Sequence, residues 1–456
     1  MKTIVPAKEN IAKLWGHPKP KDTTYRLMKY LLKVEVNEGT LLHNVVTGQL
    51  ILLTPDEMAQ LSHLPNKPCD FIEELVENHF LVPEEYDEYK SVKQLRMIYR
   101  ARSTGDAINH YVILPTTFCN AHCFYCYESD YPHIHMTEET AHKVVDYIAK
   151  NHEGKHVSIH WFGGEPLVGI ARIDQISREL QERGIKFGST MTSNGYLFDA
   201  DIIQRSVDNW HLERVQITLD GTEATYNRVK AYSNVTDNPF VRVLHNIDEL
   251  SAKKVHVNIR LNVDFYNKDD IRELIEIIGK HYSGKKYVSV YLNMLFSGTG
   301  YEPIEHTQDD IILLLKIIAD YTARLRELGL SYESRKLPSL EISQCMADNQ
   351  HSVLIQPDGS FCRCEHETVS DSYGNIDVGI VDSSRLAKWK ESIEKSESCS
   401  QCCIYPYCYH LKNCFSANEP CIECVRKQTI NRLEDTVVMS YASYMEDKSN
   451  EGVQDS

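Results

Sequence analysis

Long apolar runs are missing from this chain of 456 residues. No stretch approaches the ~18 consecutive apolar residues of a membrane helix. Met1 to Trp15 mixes charge and polarity where a secretory signal would carry an apolar core. Basic residues are in short supply: 49 Lys and Arg stand against 65 Asp and Glu, a formal charge of −16. That balance argues against a nucleic-acid surface and fits plain solubility, a basic peptide or a redox partner. The expectation is a cytoplasmic protein with no nucleic-acid and no membrane partner. Cysteine, by contrast, is plentiful at 14 residues. Disulfides are disfavoured in a reducing compartment, so clustered cysteines suggest metal. Three lie in 119–126, ten between Cys345 and Cys424, and Cys69 stands alone, read as a small hydrophobe or a neutral surface thiol.

The first group is Cys119-Asn120-Ala121-His122-Cys123-Phe124-Tyr125-Cys126, directly after a strand-like run, Tyr111 to Leu114. Three close thiolates can wrap one face of a metal centre. A structural zinc wants four protein ligands, so a zinc loop would have to borrow a distant one. Three suit a 4Fe-4S cluster that keeps one iron open.

From Ile108 onward, strand and helix patterns alternate. Strands are expected at Tyr111–Pro115, Val157–Phe162, Lys186–Thr192, Arg214–Leu219, Val255–Val263 and Val288–Leu295. Amphipathic helices are expected at Glu138–Asn151, Ala171–Glu182, Ala200–Asn209, Pro239–Ala252, Asp269–His281 and Asp309–Leu328. Alternating β and α with apolar strands implies a parallel sheet covered by helices. The α/β fold class is a partial (β/α)6 barrel with its acting residues at the strand C-termini. The motifs fall there: the cysteine loop, Gly163-Gly164-Glu165-Pro166, Thr192-Ser193-Asn194-Gly195, and Asp220-Gly221 followed by Tyr226-Asn227-Arg228. Two glycines let a backbone approach a ligand, and an Asn-Gly pair also reads as a simple turn. Arg260, among the apolar residues of the fifth strand, needs an anionic partner, either a ligand carboxylate or an ordinary salt bridge.

Ahead of the barrel, Tyr30–Val36, a turn at Asn37-Glu38-Gly39, and a hairpin over Leu41–Leu53 precede a helix opening at Thr54-Pro55. Residues 1–24 read as a loose arm and 85–107 as a linking helix that breaks at Ser103-Thr104-Gly105. Behind the barrel, Pro357-Asp358-Gly359 is a hairpin turn between strand-like flanks. A helix over Val425–Tyr444 closes the chain, and Lys448 to Ser456 reads as disordered.

The cysteine loop and the following Gly-Gly-Glu-Pro resemble the signature of radical S-adenosylmethionine (SAM) enzymes. That resemblance implies that Cys119, Cys123 and Cys126 hold a 4Fe-4S cluster whose fourth iron is chelated by SAM. One electron then yields a 5′-deoxyadenosyl radical that abstracts hydrogen. It implies further that Tyr125 lies near the adenine, that Gly163, Gly164 and Glu165 hold the amino group of SAM, and that Ser193 and Asn194 lie near ribose and carboxylate. Arg260 is a candidate for that carboxylate. Asp220-Gly221 with Tyr226-Asn227-Arg228 is similar to a segment of SPASM-bearing members, though its arginine comes at a different offset.

The cysteine field resembles a SPASM domain with auxiliary 4Fe-4S clusters. Cys399, Cys402, Cys408 and Cys421 or Cys424 would hold one, and Cys345, Cys364 and Cys414, with Cys362 as a possible fourth, the other. Lys412 stands where the family usually has a cysteine, Cys362 and Cys403 are extra, and two CxxC pairs would also suit zinc. Residues 25–100 resemble, more loosely, a winged-helix or PqqD-like module that takes a peptide leader as an added strand; a packed cap is the other reading. The expected domains are 25–100, 108–330 and 340–445.

The function implied is a radical SAM oxidoreductase that matures a ribosomally made precursor peptide, forming a thioether or other cross-link. A flavodoxin or ferredoxin-type protein would donate electrons. Oxidation of Cys or Ser on a protein, as in anaerobic sulfatase maturases, and a non-enzymatic Fe–S binding protein are the alternatives. No side chain identifies itself as the general base.

Overall fold

A computed structural model describes residues 1–16, 24–61, 70–102, 105, 107–295, 306–331, 336–414 and 421–454. Cys69 and the break at Ser103-Thr104 lie outside them. The chain forms two compact units: Met1–Thr104 with Glu333–Gln344 and Ser392–Ser456, and Gly105–Tyr332 with Cys345–Glu391.

The first unit opens with a strand, β1 (Lys2–Val5), and a helix, α1 (Glu9–Trp15), where a loose arm was expected. The burial of Ile4 and Ile11 is what anchors this segment. A two-stranded ribbon pairs β2 (Tyr25–Leu27) with β6 (Leu81–Pro83). The main sheet contains β3 (Leu31–Val36), β4 (Gly39–Asn44) and β5 (Leu50–Leu53), in the order β1-β5-β4-β3. Helix α2 (Pro55–Leu61) opens where Thr54-Pro55 indicates, α3 (Asp70–Glu77) follows, and α4 (Glu88–Arg102) occupies the expected linking segment. The C-terminal helix, Glu423–Gln454, packs Leu433, Val437 and Tyr441 with Leu32, Leu41 and Leu50 of the sheet. It continues through Lys448, past the point where order was expected to end.

The second unit carries six parallel strands in chain order: β7 (His110–Ile113), β8 (Val157–Trp161), β9 (Phe187–Ser193), β10 (Leu212–Leu219), β11 (His256–Val263) and β12 (Val288–Met294). The intervening helices are α5 (Glu138–Asn151), α6 (Ile170–Glu182), α7 (Ala200–Asp208), α8 (Glu223–Lys230), α9 (Pro239–Ala252), α10 (Lys268–Tyr282) and α11 (Gln308–Glu327). Local chemistry starts these helices where the pattern does. Thr137 accepts the Thr140 N–H ahead of α5, Asn238 caps α9 with Pro239 at its first turn, and Thr307 and Asp310 make a capping box. Helix α8 was not expected. It has only eight residues and buries Tyr226, Val229 and Lys230, a set too short and too mixed to show periodicity.

The region 340–445, expected as one domain, is divided between the units. β13 (Ser352–Ile355) pairs in parallel with β7, so its hairpin with β14 (Ser360–Cys362) extends the barrel sheet, followed by β15 (Gly374–Asn375) and β16 (Gly379–Ile380). Residues from Ser392 onward belong with the N-terminal strands. Backbone pairing, which composition does not display, makes the division. Among the described residues no helix is long and apolar enough to cross a membrane.

His43 of β4 is wholly buried, and its Nε2 donates to the Pro338 carbonyl at 2.8 Å. Burial holds its pKa down at about 4. The unfolded chain binds this proton near pH 6.5 and the folded chain only near 4, so the stability held above pH 6.5 is lost as pH falls between the two. The expected loss is roughly 3 kcal/mol at full protonation. Denaturant titrations from pH 7.5 to 4.5 should show a flatter pH dependence for His43→Gln than for the parent.

Candidate active site

The C-terminal ends of β7, β8, β9 and β10 build one constellation. After β7 the chain enters the cysteine loop, and after β8 it makes the Gly163-Gly164 turn. Gly163 sits at φ +120°, and a Cβ there would stand 2.2 Å from the Thr116 carbonyl oxygen. One on Gly164 would stand 2.5 Å from the carbonyl oxygens of Thr117 and Phe118. The glycines thus admit protein backbone, the entry to the cysteine loop, where the sequence suggested a ligand. The Glu165 N–H donates to the Phe118 carbonyl at 2.9 Å and closes the contact. On the other side the His122 N–H donates to the Lys230 carbonyl at 2.8 Å, and the Ser233 N–H to the Asn120 carbonyl at 2.9 Å. The loop is clamped from two strand ends.

Cys119, Cys123 and Cys126 are partly buried free thiols. They lie close enough for Cys119 to feel the charge of the other two. Burial, then Glu165, pushes Cys119 up to about 12. Burial, then Glu128, pushes Cys126 up to about 11. Such thiols need a strongly cationic partner to ionise, and a bound metal centre supplies one. Among the described residues no three His, Cys, Asp or Glu converge as the ligands of a single metal ion would.

Glu165 is fully buried. Its Oε1 accepts from the Leu167 N–H at 3.1 Å and the Ser193 hydroxyl at 2.9 Å, and its Oε2 from the Asn194 N–H at 2.7 Å. Burial pushes it up to about 7 against those three hydrogen bonds. A buried carboxylate so oriented fits an ammonium group. Ser193 spends its hydroxyl on Glu165 and on the Gly195 N–H. Asn194 reaches across to Asn120 Oδ1 at 2.7 Å. In these contacts both residues brace Glu165 and the cysteine loop.

Beneath the loop lies a network that sequence reasoning only half located. Tyr125 donates its hydroxyl to the Asp220 carboxylate at 2.8 Å, and Asn262 Nδ2 donates to the same group at 3.0 Å. Lys230 pairs with Asp220 at 3.0 Å, with both side chains almost wholly buried. Burial opposes its charge, yet Asp220 and then Cys123 hold its pKa well above the usual value. Arg228, the arginine noticed in the sequence, is exposed. The basic position of the motif, counted from Tyr226-Asn227, is Lys230. That count was the available signal. Arg260 gives its Nε to Asn262 Oδ1 at 2.9 Å and attracts Glu365.

The remaining cysteines separate. In the barrel unit Cys364 feels the charge of Cys345. Cys362, the last residue of β14, instead points into a small core with Val112, Leu114, Phe162 and Leu354. In the other unit Cys399, Cys402, Cys408 and Cys421 line one cavity of about 480 Å³. Cys408 feels the charge of the other three. Arg96 of α4 holds this segment by donating to the carbonyls of Tyr405, Pro406 and Cys408 at 2.8–2.9 Å. Cys403 packs against the core containing Leu433. Cys414 accepts from Gln344 Nε2 at 3.5 Å. The side chain of Cys424 lies outside the described residues.

Residues 113–278 match the family model described as the Radical SAM superfamily. A GTP 3′,8-cyclase of Clostridium perfringens is 25% identical over 283 residues, covering 58% of this chain and 82% of the relative. Among solved structures, anSMEcpe with bound AdoMet and Cp18Cys peptide matches with a TM-score of 0.55 at 18% identity, over 74% of this chain and 99% of that one. Streptococcus suis SuiB bound to precursor peptide SuiA matches with a TM-score of 0.50 at 14% identity, over 86% and 95%. The likeness to the solved structures is one of fold.

Two substitutions test the construction. Gly164→Ala drives a methyl into two carbonyl oxygens and should cost ~3 kcal/mol or more. Thermal unfolding and iron content measured together should fall together. Lys230→Met leaves the Asp220 charge buried alone and should cost ~3–5 kcal/mol. The double variant with Asp220→Asn should recover part of that loss in a denaturation cycle.

Proposed function

We propose that this chain, a radical SAM enzyme whose residues 113–278 match the superfamily model, acts on a ribosomally made precursor peptide, on which it forms a thioether or other side-chain cross-link. A 4Fe-4S cluster and SAM are its cofactors; when bound, they supply one-electron chemistry able to take a hydrogen atom from an unactivated carbon. Cys119, Cys123 and Cys126 would hold the cluster and leave one iron open. Glu165 would hold the ammonium of SAM, Tyr125 would lie by the adenine, and Arg260 is offered to the carboxylate. Gly163, Gly164, Ser193 and Asn194 keep this frame in place. Cys399, Cys402, Cys408 and Cys421 would hold an auxiliary cluster, and Cys345 and Cys364 would contribute to another. A flavodoxin or ferredoxin-type protein would deliver electrons.

The observation that carries the peptide reading is the edge of the N-terminal sheet. Among the described residues β3 is hydrogen-bonded to β4 alone. Its hairpin turns on two residues between Val36 and Gly39. Counting from that turn, Lys33 and Glu35 occupy positions that do not exchange hydrogen bonds with β4, so their N–H groups face outward. An extended leader adds to such an edge through its main chain. Two structural neighbours, anSMEcpe with its Cp18Cys peptide and SuiB with its precursor peptide SuiA, hold bound peptides, which supports the reading.

The test uses synthetic peptides encoded by short reading frames beside the gene. The anaerobically loaded enzyme, with SAM and reductant, should release deoxyadenosine and return one such peptide two hydrogens lighter with a cysteine thiol consumed. A peptide carrying an aldehyde in place of its thiol would mark the sulfatase-maturase alternative. GTP should be left unchanged. Replacing Cys119, Cys123 and Cys126 together by Ala should abolish deoxyadenosine release and leave the iron of the other cysteines in place. Lys33→Pro removes an outward N–H without breaking the β4 ladder; it should weaken peptide binding about tenfold and spare SAM cleavage.

A further inference from the structure

One carboxylate in the barrel unit, Glu128, lacks among the described residues the partner that a buried carboxylate requires. Glu128, two residues beyond Cys126, is 9% exposed, and its Oε1 is sealed from solvent without a hydrogen-bond partner. Glu365 follows Cys364, is less fully covered, and stands close enough for its charge to act on Glu128. The segments carrying them are packed together: the Tyr127 ring lies 4.1 Å from that of His366, and the Tyr131 hydroxyl donates to the His366 carbonyl at 3.0 Å. Arg260 attracts Glu365. No cation among the described residues pairs with Glu128, and the only charge found acting on it is the repulsion of Glu365. Ionised Cys126 and Cys364 would add negative charge to the same space.

Burying a carboxylate without a partner costs several kcal/mol. Folded proteins leave few buried polar groups unsatisfied, and each such group calls for an explanation. Glu165 is the contrast, since it is more deeply buried and has three donors. Among the described residues the site around Glu128 has a carboxylate and no donor, at the barrel end where the cysteine loop stands.

We propose that Glu128, with Glu365 beside it, receives a cationic side chain, lysine or arginine, of the peptide substrate. This deepens the peptide reading above and rests on it. Held there by charge-assisted hydrogen bonds, the cation would fix which residue of the peptide lies beside the cysteine loop. The carboxylates are therefore positioning and specificity residues.

The experiment offers the cluster-loaded enzyme, with SAM, a library of ten-residue peptides whose central residue is lysine, arginine, norleucine or glutamate. Retained peptides are quantified by mass spectrometry. The parent enzyme should retain lysine or arginine peptides at least tenfold over norleucine, and Glu128→Gln with Glu365→Gln should erase that preference while SAM affinity stays unchanged. Equal retention of all four classes overturns the site and leaves the peptide reading standing. Retention of none overturns both. A preference that persists in the double variant overturns the assignment to these residues, and lost SAM affinity would move the carboxylates to the cofactor site. Visible absorbance of the clusters checks that the variants fold, and the arm with the parent enzyme decides the matter of preference by itself.

Discussion

The approach of two backbones at Gly163 and Gly164 is the constraint on which the site depends. A loop holding three cysteines has no regular hydrogen bonding of its own, so its shape has to be imposed from outside. Here the imposition comes from carbonyl oxygens 116–118 lying where side chains at 163 and 164 would otherwise be. The same turn delivers Glu165 to its three donors. One steric requirement therefore sets both the cysteine entry and the buried carboxylate, and neither can shift without the other.

A second constraint is electrostatic. The barrel end concentrates Glu165, Asp220, Glu128, Glu365 and three cysteines, with Lys230 and Arg260 as buried or half-buried cations. Lys230 is tied to Asp220, and through its backbone to His122, so charge balance and loop geometry are joined at one residue. Such pairs contribute little net stability because desolvation offsets attraction. Their value lies in allowing one arrangement only, since every alternative strands a charge. The other unit uses a different device. Arg96 satisfies several carbonyls around Cys408 and stacks on Tyr405 at 4.7 Å, fixing a cysteine segment that has little regular structure.

Much of the architecture was legible in the chain. Six strands and six helices of the barrel fall within a few residues of the positions that periodicity indicates, because each is long, amphipathic or apolar, and capped by its own neighbours. The cysteine loop, Gly163-Gly164-Glu165 and Asp220-Gly221 were visible because their residue types are rare in such spacing. Helix α8 was hidden by its length, and β1 by the lysines and prolines around it. Glu128 sits in an ordinary polar run and looks like any solvated glutamate until its burial is known.

The sequence by itself determined the alternation of strands and helices, the three-cysteine loop and the residues at each strand end. These follow from local pattern and side-chain chemistry, which a linear reading contains. Tertiary structure alone decided which cysteines meet: Cys399, Cys402, Cys408 and Cys421 around one cavity, Cys345 beside Cys364, and Cys362 turned into the core. It decided that the double glycine accommodates backbone, that Lys230 and not Arg228 is the buried cation of that motif, and that Glu128 has no partner among the described residues. Each of these depends on strand pairing and on the direction of a side chain across tens of residues. The physical reason is that burial and long-range proximity are properties of the packed chain, and no local spacing encodes them.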